Sequence, residues 1–476
     1  MFDPTLRRIE AAFALLITAL AALSIPLPRL CCAAPDLPSS PVQRRTLPSG
    51  LRVIVAEQPG AALLALDLRV RAGSGSETPE TNGTAHFIEH LLFKGTERRG
   101  PGEIDRAMET LGGELTAQTT RDATRYATVL PSAGWRDALA ILADMTLHPA
   151  FRAADVAAEK RVIRSEMAIA RTEPTRAGFG ALSEIAFGPD NPYRLPLMGS
   201  ETNVDTMTPG ALRLFWQQWY RPANMTLVVA GDVRAAEVFA AAEQLWGASD
   251  SPAPPETHGG TAGGAALPSS PPRGRRRAAT RHADERVGLL VGGGLVTVLV
   301  GFPAPSAGNA DAFAATAGVV SLLAEGANRG GGGRLTDALV GRQKLALSVT
   351  ADMVAQRGES LVVVTATGRR AEAAKLEAAL RTTLKRLLAG GFTSQDADMA
   401  RQNLLAAHFS DDTLEGTAAR LALTDVLGLS ASGTDDRRLY AARLERTVTW
   451  DSMTKAAQRS LTDENAVVVV IGADAP

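Results

Sequence analysis

The sequence predicts an α+β protein of two homologous halves, each a mixed or antiparallel sheet covered by helices. An internal repeat is the first reason. Thr208-Pro209 through Asn224 and the run Met225-Thr226-Leu227-Val228-Val229-Ala230-Gly231 align with Thr449-Trp450 through Asn465 and Ala466-Val467-Val468-Val469-Val470-Ile471-Gly472, at a constant offset of 241. Each copy reads as a helix followed by a buried strand. The second reason is composition. Residues 248–284 are rich in Pro, Gly, Ser and Ala, with Pro254-Pro255, Gly259-Gly260, Gly263-Gly264 and Pro271-Pro272. Such a stretch cannot build a core and reads as a linker between one domain over 42–247 and another over 285–476. A chain of 476 residues is long enough for two sizeable cores.

Residues 1–33 read as a signal peptide. Arg7 and Arg8 precede an apolar stretch from Ala11 to Ile25, followed by Pro26, Pro28 and small residues around Cys31-Cys32-Ala33-Ala34. The apolar stretch is short for a membrane span, so no stable span is expected after processing; left uncleaved, it would anchor the chain. Cleavage near Ala33 removes both cysteines and leaves a mature chain without disulfides. The expected destination is outside the cytoplasm, the periplasm if the source is Gram-negative. Formal net charge is −1, from 50 Lys+Arg and 51 Asp+Glu, which argues against nucleic acid or an anionic membrane surface as partner. The basic run Arg273 to Arg277 lies within the linker.

The densest chemistry is in His86-Phe87-Ile88-Glu89-His90. Two imidazoles four apart on a helix share one face, and a carboxylate three residues after the first joins them. That arrangement can hold a divalent metal on two nitrogens while a carboxylate handles a water. The order inverts the more common His-Glu-x-x-His zinc motif. Two solvent-facing histidines on an ordinary helix would give the same pentapeptide. A catalytic zinc needs a third protein ligand. Asp155 to Ala170 reads as a helix whose apolar stripe, Val156, Ile163 and Ala170, also contains Glu159 and Glu166. A carboxylate on a buried stripe needs a cation or hydrogen-bond donors; at the edge of a solvated helix it needs neither.

The block Thr84-Ala85-His86-Phe87-Ile88-Glu89-His90-Leu91-Leu92-Phe93-Lys94-Gly95-Thr96 resembles the active-site helix of the pitrilysin, insulinase and mitochondrial-processing-peptidase family of zinc metallopeptidases. That family carries its third ligand in a downstream Glu-x-x-Val-Ile-x-x-Glu segment, which Glu159 to Glu166 matches, 76 residues beyond His90 (166 − 90). The resemblance implies Zn2+ held by His86, His90 and Glu166, with Glu89 as general base and Glu159 behind the ligands. It also implies that the two domains face each other across a peptide-sized chamber. Leu111-Gly112-Gly113-Glu114-Leu115-Thr116-Ala117-Gln118-Thr119, followed by Asp122, Thr124 and Tyr126, is similar to the hairpin bordering the family's cleft. Alternation independently suggests two strands with a turn near Thr120-Arg121. Thr116 and Ala117 are therefore candidate substrate contacts, although relatives carry Asn at the Thr116 position. Asn191-Pro192-Tyr193 to Gly199 and Arg221-Pro222-Ala223-Asn224 through Asp232 also match, as turns and a buried strand.

The second half has no counterpart of the metal motif, and His148, His258, His282 and His408 lack partners at ligand spacing. Gly330-Gly331-Gly332-Gly333-Arg334 lacks the Gly-Lys-Ser/Thr ending of a phosphate loop. By resemblance it is the turn before a helix in which the family carries an Arg and a Tyr that grip substrate. Here those positions are Val340 and Leu347, which cannot donate a hydrogen bond. Two-chain members of the family place the metal helix on one subunit and the Arg–Tyr pair on the other. The resemblance thus implies a zinc-dependent endopeptidase acting on peptides or small unfolded polypeptides, as the metal-bearing subunit of a heterodimer whose homologous partner supplies the Arg and Tyr. A non-catalytic assembly or chaperone-like relative is the alternative. An unrelated zinc hydrolase is disfavoured by the duplication.

Overall fold

The computed structural model describes residues 42–247, 284–287, 294–323, 333–429 and 437–472. The signal peptide, most of the linker with His258 and His282, and Gly330 to Gly332 lie outside the described residues. In the first half, strands β1 (Gln43–Thr46), β2 (Arg52–Glu57), β3 (Leu63–Val70), β4 (Thr116–Thr119), β5 (Thr124–Pro131) and β6 (Met225–Gly231) form a sheet in the order β1-β2-β6-β3-β5-β4. Its helices are α1 (Thr84–Leu92), α2 (Glu103–Thr110), α3 (Trp135–Leu147), α4 (Ala153–Thr172), α5 (Pro174–Ala186), α6 (Glu201–Thr206), α7 (Pro209–Trp219) and α8 (Ala235–Trp246). In the second half, β7 (Asp284–Val287), β8 (Leu295–Ala304), β9 (Ala346–Val354), β10 (Ser360–Arg369) and β11 (Val467–Ile471) are ordered β7-β11-β8-β10-β9. The helices there are α9 (Ala310–Leu323), α10 (Arg334–Thr336), α11 (Ala373–Ala389), α12 (Ser394–His408), α13 (Leu414–Val426), α14 (Arg437–Thr447) and α15 (Trp450–Ser460).

The duplication seen in the sequence is a duplication of wiring. β6 runs parallel to β2 and antiparallel to β3; β11 runs parallel to β7 and antiparallel to β8. Both strands are sandwiched by neighbours on each edge and buried, which explains their continuous apolar runs. The copies differ at their ends, because α8 follows β6 whereas β11 closes the described part of the second half. β7 begins at Asp284, the last residue assigned to the linker.

Alternation along β3 sorts its two faces. Leu64, Leu66, Leu68 and Val70 point into a core with Phe87, Ile88 and Leu91 of α1 and Ile163 and Met167 of α4. Ala65 lies on the other face. Helix α13 of the second half lies there, setting Ala418, Leu421 and Ala422 against Ile54, Ala56, Ala65, Val228 and Ala230. Reciprocally, Leu182 of α5 packs on Leu299, Leu361, Val363, Val469 and Ile471 of the second sheet. A Cβ on Gly178 of α5 would come within 2.4 Å of Ile471, and one on Gly301 of β8 within 2.8 Å of Leu182. Each sheet thus has one helix from the opposite half on its second face.

Charges accompany the crossing of α13. Asp425 accepts from Arg52 Nε at 2.9 Å, Arg71 Nη2 at 2.5 Å and Thr226 Oγ1 at 2.6 Å. Fully buried Asp67 pairs with Arg69 and Arg125, and Arg125 reaches Glu415 of α13. Such pairs are weak evidence of net stability, but removing one partner strands the other in a dry interface.

Candidate metal centre

Helix α1 starts where the chain turns through Gly83 at φ +98, a left-handed conformation that favours glycine. Its first turn is held by Glu77, which is buried. One carboxylate oxygen accepts from Gly83 N–H and Asn82 Nδ2, each at 2.8 Å, and the other accepts from Ala85 N–H at 2.7 Å. A carboxylate there satisfies amides that the helix leaves unpaired and complements the positive end of its dipole. Phe87, Ile88, Leu91 and Leu92 sink into the core, so rotation about the helix axis is fixed. His86, Glu89 and His90 are left along one side, with the two imidazole centroids 4.7 Å apart.

Helix α4 supplies the facing carboxylates. Val156, Glu159, Ile163, Met167 and Ala170 form its buried stripe, so Glu159 lies inside while Glu166 sits at the rim, 27% exposed. Candidate ligand atoms of His86, His90 and Glu166 lie within 4.8 Å of one another, the one group of three or more His, Cys, Asp or Glu of this kind among the described residues. Glu166 Oε2 is 3.4 Å from His90 Nε2 and 3.7 Å from His86 Nε2. Donors about 2.0–2.1 Å from a tetrahedral zinc stand about 3.3 Å apart, so two imidazole nitrogens and one carboxylate oxygen at these separations fit Zn2+.

Partners behind the ligands differ. His90 Nδ1 meets Glu159 Oε2 at 3.0 Å, which directs Nε2 toward Glu166. Glu159 Oε1 in turn pairs with Lys94 Nζ at 3.0 Å. His86 Nδ1 is buried with no hydrogen-bond partner among the described residues. Electrostatics follow this geometry. Burial, followed by repulsion from His90, pulls His86 down to about 3, so it is a neutral imidazole with a lone pair to offer. Burial also acts to lower His90, but hydrogen bonds to Glu159 and Glu166 outweigh it and push that group up to about 10 without metal. Burial opposes ionisation of Glu159 and Glu166 too, and their contacts with His90 prevail, holding both below the usual carboxylate range.

Glu89 is governed by burial, which raises its carboxyl against the opposing pull of His90 and of a hydrogen bond donated by the Thr119 hydroxyl. The direction of that shift, toward a more basic carboxyl, is the one a proton-accepting group needs. Thr119 ends β4, the edge strand of the first sheet. The two strands and the turn at Thr120-Arg121 stand where the alternation predicts them. Thr116 is exposed and donates within its own hairpin, to Ala127 O at 3.2 Å, and Ala117 is half-buried beside it.

Elsewhere, His148 is exposed and His408 stacks on Tyr440, centroids 4.3 Å apart, so neither joins the centre. The expected Arg-Leu helix of the second half is shorter than the resemblance implies. α10 gives way to a π-turn over Asp337–Arg342. Val340 in that turn packs against the second core, and Leu347 on β9 is 56% exposed. Sequence reasoning assigned no role to Glu77, Lys94 or Thr119. Of these only Glu77 carried a signal, an acid shortly before a helix start.

Comparison with known proteins agrees with the fold and the motifs. The family model described as "Insulinase (Peptidase family M16)" matches residues 52–201, and that described as "Peptidase M16 inactive domain" matches 206–404. The second match begins ahead of β6, which the structure places in the first sheet. An uncharacterized zinc protease of Streptomyces coelicolor is 30% identical over 249 residues, 52% of this chain and 51% of the relative. The "Probable mitochondrial-processing peptidase subunit beta" of Arabidopsis thaliana is 32% identical over 201 residues, 42% of this chain and 38% of the relative. The chain spans about half the length of the curated relatives it matches. Among solved structures, a protease from Helicobacter pylori superimposes with a TM-score of 0.78 at 22% identity, covering 91% of this chain and 99% of that one. The first half of the periplasmic protease PqqL from Escherichia coli gives 0.68 at 19% identity, over 91% and 94%. With both halves of the chain matched in order and the inverted His-x-x-Glu-His on α1, this protein belongs to the insulinase family of peptidases, M16.

Proposed function

We propose that this chain is a zinc-dependent endopeptidase for peptides or small unfolded polypeptides, acting as the metal-bearing subunit of a heterodimer. One observation carries the reading: His86, His90 and Glu166 bring three ligand atoms within 4.8 Å beside a Glu89 whose carboxyl is raised by burial. His86, His90 and Glu166 would hold the zinc, which when bound polarises a carbonyl and acidifies a water. Glu89 accepts the proton of the attacking water and returns it to the departing amine, leaving a free carboxylate and a free amine. The Thr119 hydroxyl steadies Glu89 for both transfers. Edge strand β4 offers unpaired backbone groups along which an extended peptide can add as a further strand, with Thr116 and Ala117 beside it. The residues 1–33 support export and removal of the leader.

The heterodimer part of the reading rests on Val340 and Leu347. Val340 is committed to apolar packing, and neither side chain can donate to a developing oxyanion. A homologous partner bearing Arg and Tyr at those positions would restore what this chain lacks. The same two residues favour a second reading, a non-catalytic assembly subunit, against which the complete ligand set and Glu89 weigh. Peptide turnover of the purified chain, alone and as isolated with its partner, separates the readings. The heterodimer reading expects a sluggish single chain and an active complex, and loses to full activity of a monomer or homodimer. No turnover from either preparation favours the assembly subunit.

A further inference from the structure

The turn of the β4–β5 hairpin is gripped by both halves of the molecule. From the first half, Ser74 and Gly75 N–H donate to Thr120 O at 3.1 Å and Arg121 O at 2.8 Å, and Arg121 Nε donates to Tyr193 O at 2.8 Å. From the second half, the turn between β9 and β10 donates twice: Arg357 N–H to Asp122 Oδ2 at 2.8 Å, and Gly358 N–H to Tyr193 Oη at 3.0 Å. Tyr193 Oη donates to Asp122 Oδ1, closing the cluster. There is no slack in it. A Cβ on Gly358 would stand 2.7 Å from the Tyr193 ring, one on Gly75 2.5 Å from the same ring, and one on Gly73 2.0 Å from Thr120 O. Tyr193 itself is 1% exposed. Three residues before Asp122, Thr119 donates to Glu89.

We propose that Tyr193 and Asp122 are positioning residues for Glu89, through which docking of the second half at 357–358 holds the hairpin, and hence the Thr119 hydroxyl, against the base. The proposal rests on the reading of Glu89 as general base. Its logic is mechanical. β5 is fixed to β3 along its length, whereas β4 pairs only with β5 among the described strands, so the turn is a second hold on β4 beside that short ladder. Loosening the turn lets Thr119 drift while leaving the metal ligands on α1 and α4 in place. Misplacing a base by a fraction of an ångström lowers turnover with little effect on substrate binding. Separation of the two halves would therefore relax the base without releasing zinc.

The test uses the zinc-loaded full-length chain with Tyr193→Phe, which removes the shared hydroxyl, and Gly358→Ala, which wedges the docked turn apart. Amide exchange across 116–126 should quicken about tenfold or more in both variants, with zinc content unchanged. For turnover, each variant should lower kcat about tenfold and leave KM within about twofold. In a Thr119→Val background the same substitutions should change kcat less than about twofold, because the link to Glu89 is already cut. Equal kcat losses in both backgrounds, or a rise in KM without a fall in kcat, would overturn the proposal. So would parent-like amide exchange in both variants, whether or not peptides are cleaved. A parent chain that cleaves no peptide defeats the peptidase reading alone, and the exchange result still decides whether the second half holds the hairpin.

Discussion

Glu159→Gln should weaken zinc binding about 10- to 100-fold while leaving the three ligands in place. The carboxylate is 4% exposed and stands 3.0 Å from His90 Nδ1 and 3.0 Å from Lys94 Nζ. A hydrogen bond to a charged group contributes about 1.5–3 kcal/mol. Gln can still accept from His90, but without charge, so His90 Nε2 loses basicity and part of its orientation. At about 1.36 kcal/mol per tenfold, forfeiting most of that bond gives the stated range. Lys94 is 38% exposed, so its attraction to Glu159 is screened and contributes at most about 1 kcal/mol. Lys94→Met should therefore weaken zinc by less than about tenfold. The assay is competition for zinc against a chelator of known affinity, on parent and variants under one buffer. Parent-like affinity in Glu159→Gln would show that this carboxylate does not orient His90. Complete loss of zinc from a folded variant would mean that Glu159 is itself a ligand and that the set is misassigned.

Glu89→Gln should keep about one zinc per chain and lose about a hundredfold or more in turnover, checked by metal analysis and peptide cleavage on the same sample. Glu77→Ala orphans Gly83 N–H and Ala85 N–H in a buried site, while Asn82 Nδ2 keeps its bond to Pro196 O, at about 1–3 kcal/mol for each unsatisfied group. Its thermal midpoint should fall by several degrees, about 2–4 °C per kcal/mol for a domain of this size; an unchanged midpoint would show that water replaces the carboxylate freely. Asp425→Ala leaves Arg71, whose side chain is 2% exposed, facing the interdomain contact without its carboxylate. Urea unfolding should register a loss of about 3–5 kcal/mol, and a loss under about 1 kcal/mol would show that α13 shifts to let water in.

What the sequence made legible is what periodicity and ligand geometry force. β6 and β11 are flanked by strands and covered on both faces, so their apolar runs are continuous and repeat at one offset. Helical spacing sets His86, Glu89 and His90 on one face, whereas Glu159 and Glu166 were legible only through the family resemblance, since their stripe fits a solvated helix as well. The reciprocal covering of the sheets was not readable. Ala418, Leu421 and Ala422 form an ordinary amphipathic stripe, and a stripe carries no address for the sheet it meets. A clue did exist in Asp67 and Arg69, set between the inward-facing Leu66, Leu68 and Val70, which declare a partly charged second face. The π-turn after α10 also went unread. It contains β-branched Val340 and Gly341, both poor helix formers, but a weak propensity does not announce a change of hydrogen-bond pattern. Thr119 and Lys94 act as single residues with no spacing to reveal them.

The central claim is that His86, His90 and Glu166 together hold one catalytic zinc. Metal content of the purified chain, measured beside Glu166→Gln after identical dialysis against a weak chelator, tests it most directly. The account predicts about one zinc per parent chain and near none in the variant, with both chains folded to the same extent. A Glu166→Gln chain that retains a full zinc would contradict it, as would a folded parent that binds none when zinc is supplied.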